Sequence, residues 1–586
     1  MRFNRKEILF YILLWLALSV VLQSVFRFHF YHIEQYQLFL FDNAYILSTL
    51  SDAGGFCRLV YEFLVQFFIY PYAGAFITSA VLTIVGILVY ILIKRIDRDS
   101  SSAYFLSLLP VFSLLFVHFD FNYFMRGTIA YILLLLLFVV YMKLNTARLK
   151  LAYAVISVFI LFLLGGSVAV LFALSVFVRE LFSKAPYAYL FLIPCAEAFL
   201  SAYMGVRYAI FSEYRFAFLP DMYYHKFLTP PGFVIYMSWA LLPLIIVITT
   251  LLRSKKSWSG RKRTAGVALQ ALSAGLMVVF GIKTYGDLSS LKYKEMEYYC
   301  RTKQFDKIIK MNEGRVSNYL YLCMLNLSLA EKGELADNLF RFSQRGVQSL
   351  FIQMNNTQMS AMLLSDIYYT VGHTGASQNM AFEANVYSPG NRTGRMLKRL
   401  VETNLIYGAY DVAEKYIGLL ERTLAYDDWA TEMRRYLNDD EVNSNPEYSK
   451  RRKSLPAETF LFTAQLSEKD MMSLSVRNPE NRNPVEYTGA MYLLMKDTEL
   501  FCQFLDKYYG TEALPALPRS FQEAVIIIYE DKGADVWTEK GVSKQVIARF
   551  RQYREFILAN KNKPRLSDFV KASYGDTYWF YYMFKQ

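Results

Sequence analysis

Eight apolar stretches crowd the first 285 residues, most of them close to the roughly 20 residues that a helix needs to cross a hydrocarbon core. They fall at 8–26, 70–93, 103–118, 128–142, 151–181, 187–206, 233–252 and 264–282. A chain built this way folds in lipid, where every backbone group must find its partner within a helix or a closed barrel. Runs of this length read as helices, so residues 1–285 form a polytopic helical bundle. The first stretch follows Met1-Arg-Phe-Asn-Arg-Lys6 and ends at Arg27-Phe-His29 without a small-residue cleavage site, which makes it an uncleaved span.

The stretch at 151–181 is too long for one crossing. Gly165-Gly166-Ser167 divides it, and a hairpin turning there raises the count to nine spans. Charge supports that count, because it collects the Arg253-Ser-Lys-Lys256 and Arg261-Lys-Arg263 cluster on the same side as Arg2, Arg5, Lys6, Lys94, Arg95, Arg98, Lys143, Arg148, Lys150, Arg179 and Lys184. Only Arg27, Arg58, Arg126, Arg207, Arg215 and Lys226 are left for the other loops. By the excess of cations in cytoplasmic loops, the amino terminus lies inside and the carboxyl half outside. The formal charge of +13 belongs to these inner loops. It forms no basic, aromatic-interleaved face of the kind that grips nucleic acid, so DNA or RNA is not an expected partner.

This topology places His29, His32, His118, His225 and His373 on the outer side, with Glu34, Asp42, Asp52 and Asp120. The first outer loop, 28–70, is too apolar to be solvated. Residues 35–50 and 57–69 read as aromatic-rich helices in the membrane interface, broken at Gly54-Gly55 and Pro71. On the second of them Arg58, Glu62 and Gln66 recur every four residues and share one polar face. Five cysteines without CxxC spacing point to buried or unpaired thiols rather than a disulfide framework or zinc site.

The layout resembles the GT-C class of membrane glycosyltransferases: one inward-to-outward helix, an acidic residue soon after it, two interfacial helices and a bundle of further spans. In this sequence the acidic position reads His32-Ile-Glu34-Gln35, where many members of the class carry an Asp or an Asp-Glu pair. The resemblance implies that Glu34, with Asp42 second, acts as general base or orients the acceptor, and that a polyprenyl-phosphate-linked sugar is the donor. The chain is also similar, through stretches such as Glu34-Gln-Tyr-Gln-Leu-Phe39 and Leu397-Lys-Arg-Leu-Val-Glu-Thr-Asn-Leu405, to an uncharacterised multi-pass family of Bacteroides-group bacteria. That similarity implies a Gram-negative inner membrane and no particular activity.

Such chemistry needs a base near the acceptor and cations around the departing lipid phosphate. Glu34, Asp42 and Asp120 are the candidate acids. Arg58, Arg126, Arg207, Arg215, His225 and Lys226 are the candidate phosphate partners. A carboxylate pair with His29 or His32 could hold Mn²⁺ or Mg²⁺. Glu197 stands apart as an acid inside an expected span, where a charge is costly. Each has a plainer reading, as a cap, a snorkelling anchor or a hydrogen-bonded neutral acid.

After Asp287 the pattern is amphipathic and helical. Thr302–Ile309, Lys332–Ala336 and Gly408–Tyr416 share the small-residue and aromatic spacing of helical hairpins, which resembles tetratricopeptide-like repeats. We therefore expect an all-α chain with tetratricopeptide-like repeats at 286–440, a linker or long loop at 441–458 and a helical domain at 459–586. No P-loop, dinucleotide-binding glycine pattern, HExxH or GxSxG is present. The resemblance to the GT-C class implies a lipid-linked-sugar transferase that acts on an exported acceptor, which the repeats would present as a protein substrate or envelope partner. A non-enzymatic membrane-anchored scaffold for envelope assembly or secretion is the alternative, and a transporter the third.

Overall fold

The computed structural model describes residues 3–225, 232–252, 261–314, 316, 318–455 and 468–585. The chain is all-α and divides into two compact units, one of residues 1–292 with 422–425 and one of residues 293–421 with 426–586.

The first unit comprises α1 (Arg5–Glu34), α2 (Asn43–Ser51), α3 (Gly55–Val65), α4 (Ala73–Ile96), α5 (Ala103–Val117), α6 (Arg126–Tyr141), α7 (Ala147–Gly165), α8 (Val168–Phe182), α9 (Leu192–Arg207), α10 (Tyr214–Phe218), α11 (Phe233–Leu252) and α12 (Arg261–Tyr285). Among the described residues six helical segments are long and apolar enough to cross a membrane: α1, α4, α7, Ala188–Arg207, α11 and Ala265–Tyr285. Helices α5, α6 and α8, with 15, 16 and 15 residues, fall short of the roughly 20 residues of a full crossing. The first two lie deep in the bundle, where Val111, Leu115, Leu134 and Phe138 are fully buried. Elsewhere apolar side chains stay exposed, Val20 at 67% and Phe280 at 63%, as contact with lipid tails allows. The protein is membrane-associated.

Helix boundaries follow local chemistry. Asn4 caps α1 in a capping box with Glu7, whose carboxylate also accepts from the Tyr90 hydroxyl at 2.6 Å. At the same end of the bundle Glu180 takes Lys150 at 2.8 Å and Tyr141 at 2.9 Å. The hairpin expected at 165–167 is present: α7 ends at Gly165, and Gly166 at φ +79°, ψ −131° takes a backbone that only glycine adopts without strain.

The second unit is a succession of helical hairpins. Helices Gln358–Val371 and Thr374–Tyr387 pair across Gly372, and Gly394–Tyr407 and Tyr410–Leu420 pair across Gly408, both glycines at positive φ. Three deeper features escape the pattern of the sequence. Arg395 joins two acids from distant helices, donating to Glu297 at 2.7 Å and to Asp366, which Arg399 reaches at 3.2 Å. The ring of Tyr369 lies between the guanidinium groups of Arg399 and Arg451, 3.5 and 3.4 Å from its centroid. The tail helix Tyr578–Phe584 buries Trp579, whose indole N–H donates to the Glu523 carbonyl at 2.9 Å, and sets Tyr578 and Tyr581 against Phe340.

Residues 441–453 are not a linker. They continue into helices Asp439–Ser444 and Pro446–Lys453, because the basic run is used internally. Arg452 donates to the carbonyls of Leu405 and Ile406 at 2.9 and 3.1 Å, and Arg451 to that of Tyr369. Cations therefore cap the ends of two repeat helices, where the helix dipole favours them. The rest of the expected linker, 456–458, lies outside the described residues.

Glu523 is almost fully buried and accepts from Arg519 at 2.9 Å and from the Tyr578 N–H at 2.7 Å. Burial outweighs these partners and pushes its carboxyl up to about 7 from an ordinary 4.5. The folded chain then holds a proton that the unfolded chain releases, so this group makes stability fall as pH rises from about 4.5 to 7. Glu523→Gln should flatten that part of the profile by at most about 3 kcal/mol. Thermal unfolding of the full chain across this window, with and without the substitution, reads the difference.

Candidate functional site

One end of the first unit gathers the carboxyl end of α1, helices α2 and α3, the α5–α6 turn, the α7–α8 turn and residues 214–225. Four of the five histidines lie there. His29 and His118 line a cavity of about 10 Å³, walled by Phe26, Phe68 and Phe119, with room for about one water. The His32 ring stands 6.0 Å from that of Phe121, and His225 stands 6.4 Å from Phe124.

Local sequence explains this junction. The Asp52-Ala-Gly-Gly55 turn leaves Gly54 at φ +75° and lets its N–H donate to the Leu163 carbonyl at 2.8 Å. Met222 packs on both this turn and Gly166, where an added Cβ would meet its side chain within 2.6 Å. The Tyr223 hydroxyl donates to the Gly165 carbonyl at 2.6 Å and accepts from the Val168 N–H at 3.3 Å. One phenol thus satisfies the end of α7 and the start of α8, groups that a helix leaves open.

The charged core of this end is Arg58, Glu62 and Arg126. The polar face expected on α3 exists but is buried, with Glu62 at 5% exposure. Arg58 donates to Glu62 at 2.9 Å and faces Asp52 at 3.6 Å, and the Tyr45 hydroxyl donates to the other Glu62 oxygen. Burial opposes the Arg58 charge, but the Glu62 carboxylate overcomes it and holds the guanidinium above its ordinary range. Arg126 opens α6, donates to the Met222 carbonyl at 2.6 Å and lies over the Phe124 ring at 4.9 Å. Its Nε is buried without a hydrogen-bond partner. Arg126 lies in the field of Arg58, Glu62 and the phenols of Tyr61 and Tyr223. Arg58 is thus the guanidinium that pairs with Glu62, and Arg126, bonded to the Met222 carbonyl, lies within the electrostatic reach of both.

The sequence-derived acids separate. Glu34 is the last residue of α1, not a loop residue, and is 2% exposed; α1 kinks at Phe26, at φ −113° and ψ 16°, and resumes its helix as far as Glu34. Three residues later Gln37 donates to the Tyr61 hydroxyl, so the chain leaving Glu34 reaches the phenol facing Arg126. Asp42 does not lie within a helix, since 35–42 is non-helical. It is the N-cap of α2, accepting from the Tyr45 N–H at 2.9 Å, and it pairs with Arg422 of the short stretch assigned to this unit. The Tyr45 N–H first, and Arg422 next in sign, hold its carboxyl below the usual range. Asp120 closes its own turn by accepting from the Asn122 N–H at 2.9 Å.

Of the remaining cations, Arg207 is exposed at the end of α9, and Arg215 pairs with Glu213 at 2.8 Å. Lys226 lies outside the described residues. Glu197 on α9 keeps one buried carboxylate oxygen without a hydrogen-bond partner. None of Glu34, Asp42, Asp120 and Arg207 lines the cavity at His29 and His118. Among the described residues no group of three or more His, Cys, Asp or Glu side chains is arranged to hold a metal ion, His29 and His32 included. The residues that sequence reasoning passed over here are Tyr45, Tyr61, Tyr223 and Asp221. Asp221 is buried and accepts from the Tyr236 hydroxyl at 2.8 Å; only the concentration of tyrosines hinted at them.

Residues 2–585 match the model of a family of unknown function, DUF6057. No curated protein and no solved structure matches the chain.

Proposed function

The chain belongs to the DUF6057 family of unknown function, and from that premise we propose that it is a membrane glycosyltransferase of GT-C type. It would sit in a bacterial inner membrane with nine spans, amino terminus inside and carboxyl half in the periplasm. Its donor would be a sugar on polyprenyl phosphate or pyrophosphate, and its acceptor an exported molecule. The observation that carries the reading is the arginine pair Arg58 and Arg126 at this end of the unit, Arg58 paired with Glu62 and facing Asp52, and Arg126 with its Nε buried and without a hydrogen-bond partner. With its Nε left open, the Arg126 guanidinium suits an anion that arrives from the lipid phase, with the charge-assisted bonds that guanidinium forms with phosphate.

In this mechanism the bond between the sugar carbon and the phosphate oxygen breaks as the acceptor oxygen or nitrogen bonds to that carbon. The acceptor proton passes to Glu34, and the leaving phosphate keeps its electron pair and is stabilised by Arg126 and Arg58. Glu62 and Tyr45 orient Arg58. Glu34 and Arg126 belong to neighbouring segments through Gln37 and Tyr61, which supports the assignment.

The lipid-phosphate half of the reading is tested without knowing the sugar. Polyprenyl phosphate added to the full chain in nanodiscs should raise its melting temperature, whereas the uncharged polyprenol should not. Arg126→Gln should abolish the shift and Arg126→Lys should retain part of it. Equal shifts from the phosphate and the alcohol would remove the support.

One observation favours a different reading. Asp42 is a helix cap and an ion-pair partner, the role expected of it in a non-enzymatic scaffold that anchors envelope partners. That reading predicts that Glu34→Gln leaves every envelope glycan unchanged.

A further inference from the structure

We propose that the groove between residues 340–344 and the carboxyl-terminal helices of the second unit is a binding site for an acidic saccharide, one that carries carboxylate or phosphate groups. The groove encloses about 550 Å³, within the roughly 300–1,000 Å³ of small-ligand sites.

Its lining is cationic. Arg341, Arg549, Lys571 and Lys585 face it, against the single acid Asp576. That carboxylate is already shared, meeting Arg549 at 2.7 Å and Arg519 at 3.0 Å. Arg341 has a partner in Glu313 at 3.5 Å, but both side chains are more than half exposed, and such a pair contributes little and opens readily. Lys571 has no ion-pair partner among the described residues and is exposed. The Lys585 ammonium is held in place by the Ser343 hydroxyl at 3.0 Å. The lining therefore carries four cationic side chains and one acid, and Arg341 and Lys571 stand at its exposed edge.

Aromatic side chains supply the other half of the recognition. Phe580 and Tyr581 belong to the lining and are 6% and 7% exposed, so they form a fixed wall that shows only the edges of its rings to the groove. A pyranose offers apolar C–H faces to such rings while its acidic substituents reach the surrounding cations. An extended acidic peptide is a poorer match. Among the described residues no strand is present whose edge it could continue, and the recess is sized for a few rings. The site lies in the second unit and needs no catalysis, so it stands whether or not the transferase reading does.

The test is calorimetric titration of the full chain in nanodiscs with trigalacturonate, mannose 6-phosphate, neutral maltotriose, hexaglutamate and inorganic phosphate. One of the two acidic saccharides should bind at least tenfold more tightly than maltotriose, and which of them does so separates carboxylate from phosphate. The exposed double substitution Arg341→Glu, Lys571→Glu should weaken that binding at least tenfold. The proposal is overturned if neither acidic saccharide binds, if inorganic phosphate or hexaglutamate binds as tightly, or if the double variant keeps full affinity.

Discussion

Arg395→Ala is expected to cost the second unit about 3–5 kcal/mol, the penalty for removing one partner of a buried ion pair. The arginine and both acids are close to fully buried, with side-chain exposures of 11% for Arg395, 8% for Glu297 and 12% for Asp366. Without the guanidinium, Glu297 loses its 2.7 Å partner, and Asp366 keeps only Arg399 at 3.2 Å. Both carboxylates then lose a charge-assisted partner inside a medium that solvates them poorly. Against a typical total stability of about 5–15 kcal/mol for a domain, the loss is a large fraction. Chemical unfolding of the full chain followed by tryptophan fluorescence measures it, because Trp537 and Trp579 both lie in the second unit and are buried. A change under 1 kcal/mol would mean that Arg395 does not hold these helices together.

The second large effect falls on Glu34. In the transferase reading Glu34→Gln preserves shape and hydrogen-bonding capacity while removing the base, so turnover should fall by about 10²–10⁴-fold. Binding of polyprenyl phosphate should stay near wild type, since Arg58 and Arg126 are untouched. Asp42→Asn is the informative contrast. Asparagine caps a helix as well as aspartate does, so this substitution should keep α2 and leave turnover close to wild type, losing only the pairing with Arg422. Equal losses in the two variants would argue that both act through folding.

Local features of the chain were legible where the local backbone decides them. Gly165-Gly166 announced a helix break because one of the two adopts a backbone closed to other residues, and Gly54 did the same for the α2–α3 turn. The four-residue spacing places Arg58 and Glu62 on one face of α3, where they pair, while Gln66 begins the 3-10 helix that follows. What spacing could not convey is that this face points inward, because burial depends on Arg126 and Tyr45 arriving from other segments. Asp42 was misplaced for a related reason: a cap and a mid-helix acid differ only in where the helix starts, and 35–42 is apolar enough to read as helix. The stretch 441–458 reads as a linker or long loop because the partners of its basic run at 450–453, the carbonyls of Tyr369, Leu405 and Ile406, lie 40 or more positions away. Tyr223 left no signal beyond the general concentration of tyrosines, since its value comes from bridging two helix ends that meet only in the folded bundle.

The most direct measurement is mass spectrometry of polyprenyl-linked saccharides and envelope glycans from three strains: wild type, a deletion of this protein, and the deletion carrying Glu34→Gln at wild-type membrane abundance. The account predicts that the deletion and Glu34→Gln strains both accumulate the same lipid-linked saccharide and lack the same envelope glycan. Normal lipid-linked saccharides and glycans in both strains would contradict the transferase reading, and a defect in the deletion that Glu34→Gln fully repairs would leave the protein a scaffold.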